Sequence, residues 1–160
     1  MTDASTQSVL FVCLGNICRS PTGEGLLQSL VLERGMSDLI LVDSAGTGGY
    51  HIGNRADPRM RSAAAKRGYQ LASRARQVTH TDLETFDLVI AMDRDNYSSL
   101  RAVHSQPVAE IRLLSDFLEG DWPVDVPDPY YGGLEGFDYV IDMIEAACPR
   151  IVDYLVGEFR

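Results

Sequence analysis

Five apolar residues in succession, "VLFVC" at 9–13, run directly into "LGNICR" and then into "SPTGEGL". A short unbroken apolar run reads as a strand buried on both faces. Ser20 is a good N-cap and Pro21 a good first helical residue, so a helix is expected to open there. A strand, a short glycine-bearing loop and a helix in that order form the first half of a crossover unit. Such a unit is completed by a parallel neighbouring strand.

The remaining pattern repeats that alternation. Strand-like runs fall at 39–43, 87–92 and 110–114, and helical patterns at 21–34, 57–68, 94–103 and 134–158. Pro149 lies inside the last helix and is expected to kink it or restart it after Cys148. Residues 115–133 form a long polar loop that carries Trp122, Tyr130 and Tyr131, which points to an ordered functional loop rather than a disordered one. At 160 residues and 45% hydrophobic, the chain has enough apolar surface for one core. The expected fold is a single-domain α/β open parallel sheet over residues 1–160, with about four strands and helices on both faces. A phosphate-binding loop then lies between its first strand and first helix.

Composition narrows the partners. A net charge of -9 argues against duplex DNA or an anionic membrane as the main ligand, while leaving room for a local basic site. Residues 1–8 lack a basic leader, and the apolar run after them is too short for a signal peptide or a membrane span, so a cytoplasmic location is expected. Cys13, Cys18 and Cys148 do not make a secreted disulfide framework and read as free thiols, one of them reactive.

The loop at 14–19 is where the chemistry concentrates. At the carboxyl edge of an open α/β sheet, a loop opening onto a helix N-terminus is an anion site. Gly15 and Asn16 tolerate positive φ and let successive N–H groups turn inward as a nest. Arg19, six residues after Cys13, offers a planar fork that matches two phosphate oxygens. Helix end, nest and guanidinium together favour a thiolate at Cys13, which makes it the candidate nucleophile. An arginine at that spacing follows about one cysteine in twenty by chance, so the flanking strand, turn and helix carry the inference. A nucleotide-binding Walker loop is excluded because the lysine it needs is missing.

Attack on a phosphoryl group releases an oxygen that leaves far better when an acid protonates it. His51, His80 and His104 are scattered without dyad or ligand spacing, so they read as ordinary histidines and no metal or cofactor is implied. Asp128 in "DPYYGG" is a candidate acid, with two adjacent tyrosines expected to shield it from water. A simple Asp-Pro turn explains the same residues equally well, and Asp121 and Asp125 compete. Asp93, at the end of a strand, would either orient Arg19 or cap the following helix. Cys18 would either pair reversibly with Cys13 or pack in the core, and Cys148 reads as structural.

"VCLGNICRSP", with "VDSAGT", "ARQV", "FDLVIAMD" and "DPYYGG", resembles the low-molecular-weight protein tyrosine phosphatases over nearly the whole chain. The resemblance implies that Cys13 is the nucleophile, that Arg19 binds phosphate, that Ser20 hydrogen-bonds the thiolate and that Asn16 shapes the loop. It also places Asp128 as general acid and Tyr50 on the wall of the cleft. Leu14, Gly15, Ile17, Cys18, Tyr130 and Tyr131 complete the expected substrate surface, whose depth suits a phosphoaryl group on tyrosine-phosphorylated proteins. Many members carry histidine at Ser73, where it supports a network to the loop asparagine; serine is expected to weaken that network or to rebuild it through water. Arsenate reductase on this scaffold would need cysteines between Cys18 and Cys148, and there are none. Protein-arginine phosphatase has threonine where this chain has Ile17. A non-catalytic phosphopeptide-binding module would need neither nucleophile nor acid.

Overall fold

The computed structural model describes residues 6–157; the expectations for residues 1–5 and for the end of the last helix at Glu158 lie outside them. Four parallel strands, β1 (Gln7–Cys13), β2 (Ile40–Gly46), β3 (Leu88–Ala91) and β4 (Glu110–Leu113), form one sheet in the order β2-β1-β3-β4. Cys13 is in register with Gly46 on one side, and Val12 with Ala91 on the other. The chain leaves β1 toward β2 and later returns past β1 to lay down β3, so the strand order reverses beside the carboxyl end of β1. In open α/β sheets that crevice is where ligands bind.

Alternate residues of β1 feed two cores. Val9, Phe11 and Cys13 pack beneath α1 (Arg19–Glu33), α2 (Pro58–Ala65) and α5 (Glu135–Leu155), whereas Leu10 and Val12 meet Leu83 of α3 (Asp82–Thr85) and Leu100 of α4 (Arg94–Val103). Burial on both faces explains why β1 reads as a continuous apolar run. Gly23 brings α1 hard against the sheet, since a Cβ there would sit 2.6 Å from the Phe11 ring.

Several element ends differ from the sequence reading. The first helix starts at Arg19 with Cys18 as its N-cap, not at Pro21 with Ser20 capping. Pro21 thus falls at the third helical position, where a missing N–H still costs no intrahelical bond. The second strand, expected at 39–43, runs from Ile40 to Gly46, because Ser44 and Ala45 pair in the ladder despite their weak apolar signal. The second helix ends at Ala65; Arg67 and Gly68 then bond carbonyls three residues back, and Gly68 turns the chain at φ 87°. The four-residue α3 was not foreseen.

The alternative of a restart after Cys148 is corrected, since α5 is unbroken from Glu135 to Leu155 with Pro149 inside it. An internal proline costs about 3 kcal/mol, but α5 buries Phe137, Ile141, Ile144, Ile151 and Val152, each worth roughly 1.5–3 kcal/mol, on both sides of it. Packing outweighs the lost bond. The loop after β4 begins with a 3-10 turn (Leu114–Phe117), anchors Phe117 and Val126 in the core, and donates Val126 N–H to Met92 O at 2.9 Å. That bond ties the loop to the carboxyl end of β3.

Candidate active site

Cys13 ends β1 with 3% of its surface exposed, at the floor of a cleft of about 270 Å³. Its Sγ lies 3.0 Å from Ser20 Oγ, and Ser20 N–H points to it at 3.4 Å. Ser20 is therefore a first-turn residue that hydrogen-bonds the sulfur. The loop turns at Asn16, whose φ of 58° is the sole positive value at a non-glycine among the described residues. Gly15, expected to share that freedom, does not adopt it. A Cβ at Gly15 would stand 3.1 Å from the His51 ring, so close approach is what calls for glycine there.

Asn16 is 2% exposed and fully bonded. Its Nδ2 donates to Ser20 Oγ at 2.8 Å and to Ser44 Oγ at 3.0 Å, and its Oδ1 accepts from Arg76 N–H at 2.9 Å. Ser44 in turn donates to Glu24 Oε1 at 2.6 Å. The network expected to be weakened at Ser73 runs from Asn16 through Ser44 to Glu24. Burial pushes the Glu24 carboxyl above its ordinary value, against the lowering hydrogen bond from Ser44.

Arg19, 3% exposed, is held from one side. Its Nη1 donates to Asp93 Oδ2 at 2.6 Å and to Val126 O at 3.0 Å. Asp93 fills both of its expected roles, because its Oδ1 also accepts from Asn96 N–H at 2.7 Å and caps α4. Nη2 lies 3.6 Å from Asp128 Oδ2, and Nε is the one buried side-chain donor among the described residues that no protein atom accepts from. Nε and Nη2 make the side-on edge of the guanidinium, the edge that pairs with two oxygens of an oxyanion.

Asp128 reaches the cleft from the loop after β4, with Oδ1 taking Tyr130 N–H at 3.1 Å. The expected shielding is not found: its side chain is 41% exposed and Tyr131 is 91% exposed. Tyr130 stacks edge-on with Tyr131 and faces His51 and the Arg59 guanidinium, so the two rings build a wall rather than a cover. The rival acids are elsewhere: Asp125 forks Arg94, whose hydrogen bond holds it below the carboxylate range, and Asp121 does not line the cleft.

Leu14, Gly15, Ile17, Cys18, Tyr50, Tyr130 and Tyr131 all line the cleft, while Asn16, Ser20 and Asp93 stand behind it. Burial, with Asp57 and Cys13 nearby, pushes the Cys18 thiol far up. The sequence reading missed His51, a wall residue whose adjacency to Tyr50 was the available signal, and also Ser44, Glu24 and Arg59. Arg59 forks Asp57, donates Nη2 to Tyr130 O at 3.1 Å and stacks on Tyr130 and Phe137.

His80 and His104 are not scattered in space. Their rings stack at 3.8 Å, and His104 Nε2 lies 3.2 Å from Glu84. His104 Nδ1 accepts Gln106 N–H, which puts the proton on Nε2 facing Glu84. Cofacial rings cannot both aim an in-plane lone pair at one ion, so this cluster is not arranged as a metal centre.

The family described as low molecular weight phosphotyrosine protein phosphatase matches residues 8–158. A low molecular weight protein-tyrosine-phosphatase of Streptomyces coelicolor is 44% identical over 148 residues, covering 89% of each chain. The crystal structure of YfkJ from Bacillus subtilis superposes with a TM-score of 0.91 at 38% identity, over 99% of this chain and 100% of that one. A Drosophila arginine phosphatase structure gives 0.84 at 30% identity, over 91% and 96%.

Proposed function

The chain belongs to the low molecular weight phosphotyrosine protein phosphatase family and is a protein-tyrosine phosphatase, and we propose that Cys13, Arg19 and Asp128 carry its reaction. The observation that supports this most is their convergence on one cleft, where Arg19 Nε lacks a protein acceptor and Nη2 lies 3.6 Å from the Asp128 carboxyl.

In the first step the Cys13 thiolate attacks phosphorus, the S–P bond forms and the P–O bond to the tyrosine oxygen breaks. Asp128 gives its proton to that oxygen. In the second step Asp128, now a carboxylate, takes a proton from water. The water oxygen displaces sulfur and inorganic phosphate leaves. Arg19 and the loop N–H groups bind the equatorial oxygens in both transition states, and Asp93 and Val126 O keep the guanidinium oriented toward them. Ser20 stabilises the sulfur as attacking and leaving group.

Tyr50, Tyr130, Tyr131, Leu14 and Ile17 wall the cleft with apolar surface, which suits the ring of phosphotyrosine and of small aryl phosphates. Phosphoarginine is the rival substrate on this scaffold; Ile17, in the position of the rival's threonine, favours an aromatic ring over a guanidinium. A disulfide relay of the arsenate reductase kind lacks its thiol, because Cys148 is buried in α5 with burial pushing it up to about 12. The physiological targets are tyrosine-phosphorylated proteins of the cytoplasm, a placement favoured by three free cysteines. No described helix is long and apolar enough to cross a membrane. The reading is tested by offering phosphotyrosine peptide, phosphoarginine and arsenate in parallel to wild type and Cys13→Ser, without added metal. Phosphotyrosine turnover that vanishes in the variant is expected; undiminished turnover would reject Cys13 as the nucleophile.

A further inference from the structure

Arg55, Arg59, Arg61, Lys66, Arg67, Arg74 and Arg76 are seven of the chain's 14 basic residues and crowd into positions 55–76, where Asp57 is the single acid. All other acids of the 23 share the rest of the chain with the remaining seven cations. Three of the crowded cations are neutralised: Arg59 by Asp57 at 2.8 Å, Arg67 by Asp142 at 2.7 Å and Arg76 by Asp82 at 2.8 Å. Arg55, Arg61, Lys66 and Arg74 form no ion pair with a described carboxylate, a state shared elsewhere among the described residues by Arg101 alone.

Two of these free cations share a groove. Arg55 and Arg61 line a depression over α2 whose surface includes Pro58, Ala65, Leu71 and Tyr69. Glu145, which takes the Tyr69 hydroxyl at 2.6 Å, is itself bridged by Arg67. Arg61 Nε is spent on Ala56 O at 2.9 Å and Arg74 Nη1 on Gly53 O at 3.1 Å, so backbone carbonyls fix these guanidinium groups without cancelling their charge.

The groove is coupled to the cleft through one turn. Arg55 and Arg74 form a backbone bridge, and Gly53 N–H and Ala75 N–H bond Ala75 O and Asn54 O at 2.8 Å each. That turn is the one that carries Tyr50 and His51, which wall the cleft. On a protein of net charge -9, an acidic partner is repelled over most of the surface, and screening over a Debye length of about 8 Å leaves the local sign in control at contact.

We propose that this groove docks an acidic segment of the protein substrate, with Asp or Glu residues flanking the phosphotyrosine held by Arg55 and Arg61 while the phosphotyrosine enters the cleft. The apolar floor takes the methylene stems of the segment, and the guanidinium forks take its carboxylates. The proposal rests on the cleft being the phosphotyrosine site, but the groove is measurable without turnover. Fluorescence anisotropy with a glutamate-rich peptide lacking phosphotyrosine should show binding that weakens roughly two- to tenfold in Arg55→Gln/Arg61→Gln and returns in Arg55→Lys/Arg61→Lys. In kinetics, wild type should favour an acid-flanked phosphotyrosine peptide over a neutral-flanked one by a similar factor. That preference should shrink at about 0.5 M salt, and the Gln variant should lose it while keeping its rate on phenyl phosphate. Absent or unchanged peptide binding, or an equal loss on both peptides, overturns the proposal. Failure of wild type on every aryl phosphate would instead reject the cleft reading and leave the anisotropy to decide the groove.

Discussion

Arg19 Nη1 and Asp93 Oδ2 meet at 2.6 Å across the carboxyl ends of β1 and β3, joining the first turn of α1 to the N-cap of α4. The contact places a charge pair beside the cleft and leaves the other guanidinium edge free of protein acceptors other than Asp128. Asp93→Asn separates its two duties, since asparagine caps helices as well as aspartate does. The variant should keep its melting temperature within a few degrees and lose about tenfold in kcat/KM for aryl phosphates, because a neutral amide holds the guanidinium less firmly. Unchanged kcat/KM would show that Val126 O alone orients Arg19.

Asp128→Ala should lower kcat about 10²-fold or more for phenyl phosphate and much less for an activated aryl phosphate whose leaving group needs no proton. An equal loss on both would reject Asp128 as the acid.

Glu24 gives a pH signature. Its carboxyl is raised by burial, so between its unfolded and folded values the native state binds more protons than the unfolded one. The stability it contributes is therefore present below the ordinary glutamate range and is lost as pH rises through the folded value. Glu24→Gln keeps an acceptor for Ser44 and has no charge to bury. Urea unfolding should show the variant gaining on wild type as pH rises above the ordinary glutamate value. A constant difference over that rise would contradict this sign.

Arg59 stitches Asp57 to the loop after β4 through Tyr130 O and lies against two rings. Its hydrogen bond holds the Asp57 carboxyl below the usual range, so the stability from this pair is present above the ordinary aspartate value and is lost as pH falls through the folded value. Arg59→Ala should raise KM for aryl phosphates several-fold, by freeing the Tyr130 wall, and should flatten the acid limb of the stability curve. KM and acid limb both like wild type would leave Tyr130 positioned by packing alone.

Much of this was legible in the chain. Residues 9–21 declared strand, turn, candidate nucleophile, arginine and helix because each depends on local preference: apolar continuity, tolerance of positive φ at Asn16, and a serine and proline at a helix start. Helix ends were read less well. Ser20 looks like a cap because its hydroxyl oxygen often accepts from a nearby N–H, yet here that oxygen accepts from Asn16 Nδ2 and lies 3.0 Å from the Cys13 sulfur, and the helix begins a residue before it. Pro149 looked like a break because the sequence states the lost bond and not the packing on either side.

The sequence by itself determined the loop, its cysteine and arginine and the parallel α/β frame that mounts them, since these follow from near neighbours along the chain. The resemblance already pointed to Asp128, but only tertiary structure puts it, and not Asp121 or Asp125, on the cleft, makes His51 a wall and links Asn16 through Ser44 to Glu24. Those outcomes turn on side chains distant in sequence meeting within hydrogen-bond range. Packing of the sheet order β2-β1-β3-β4 fixes such meetings, and no local preference encodes them.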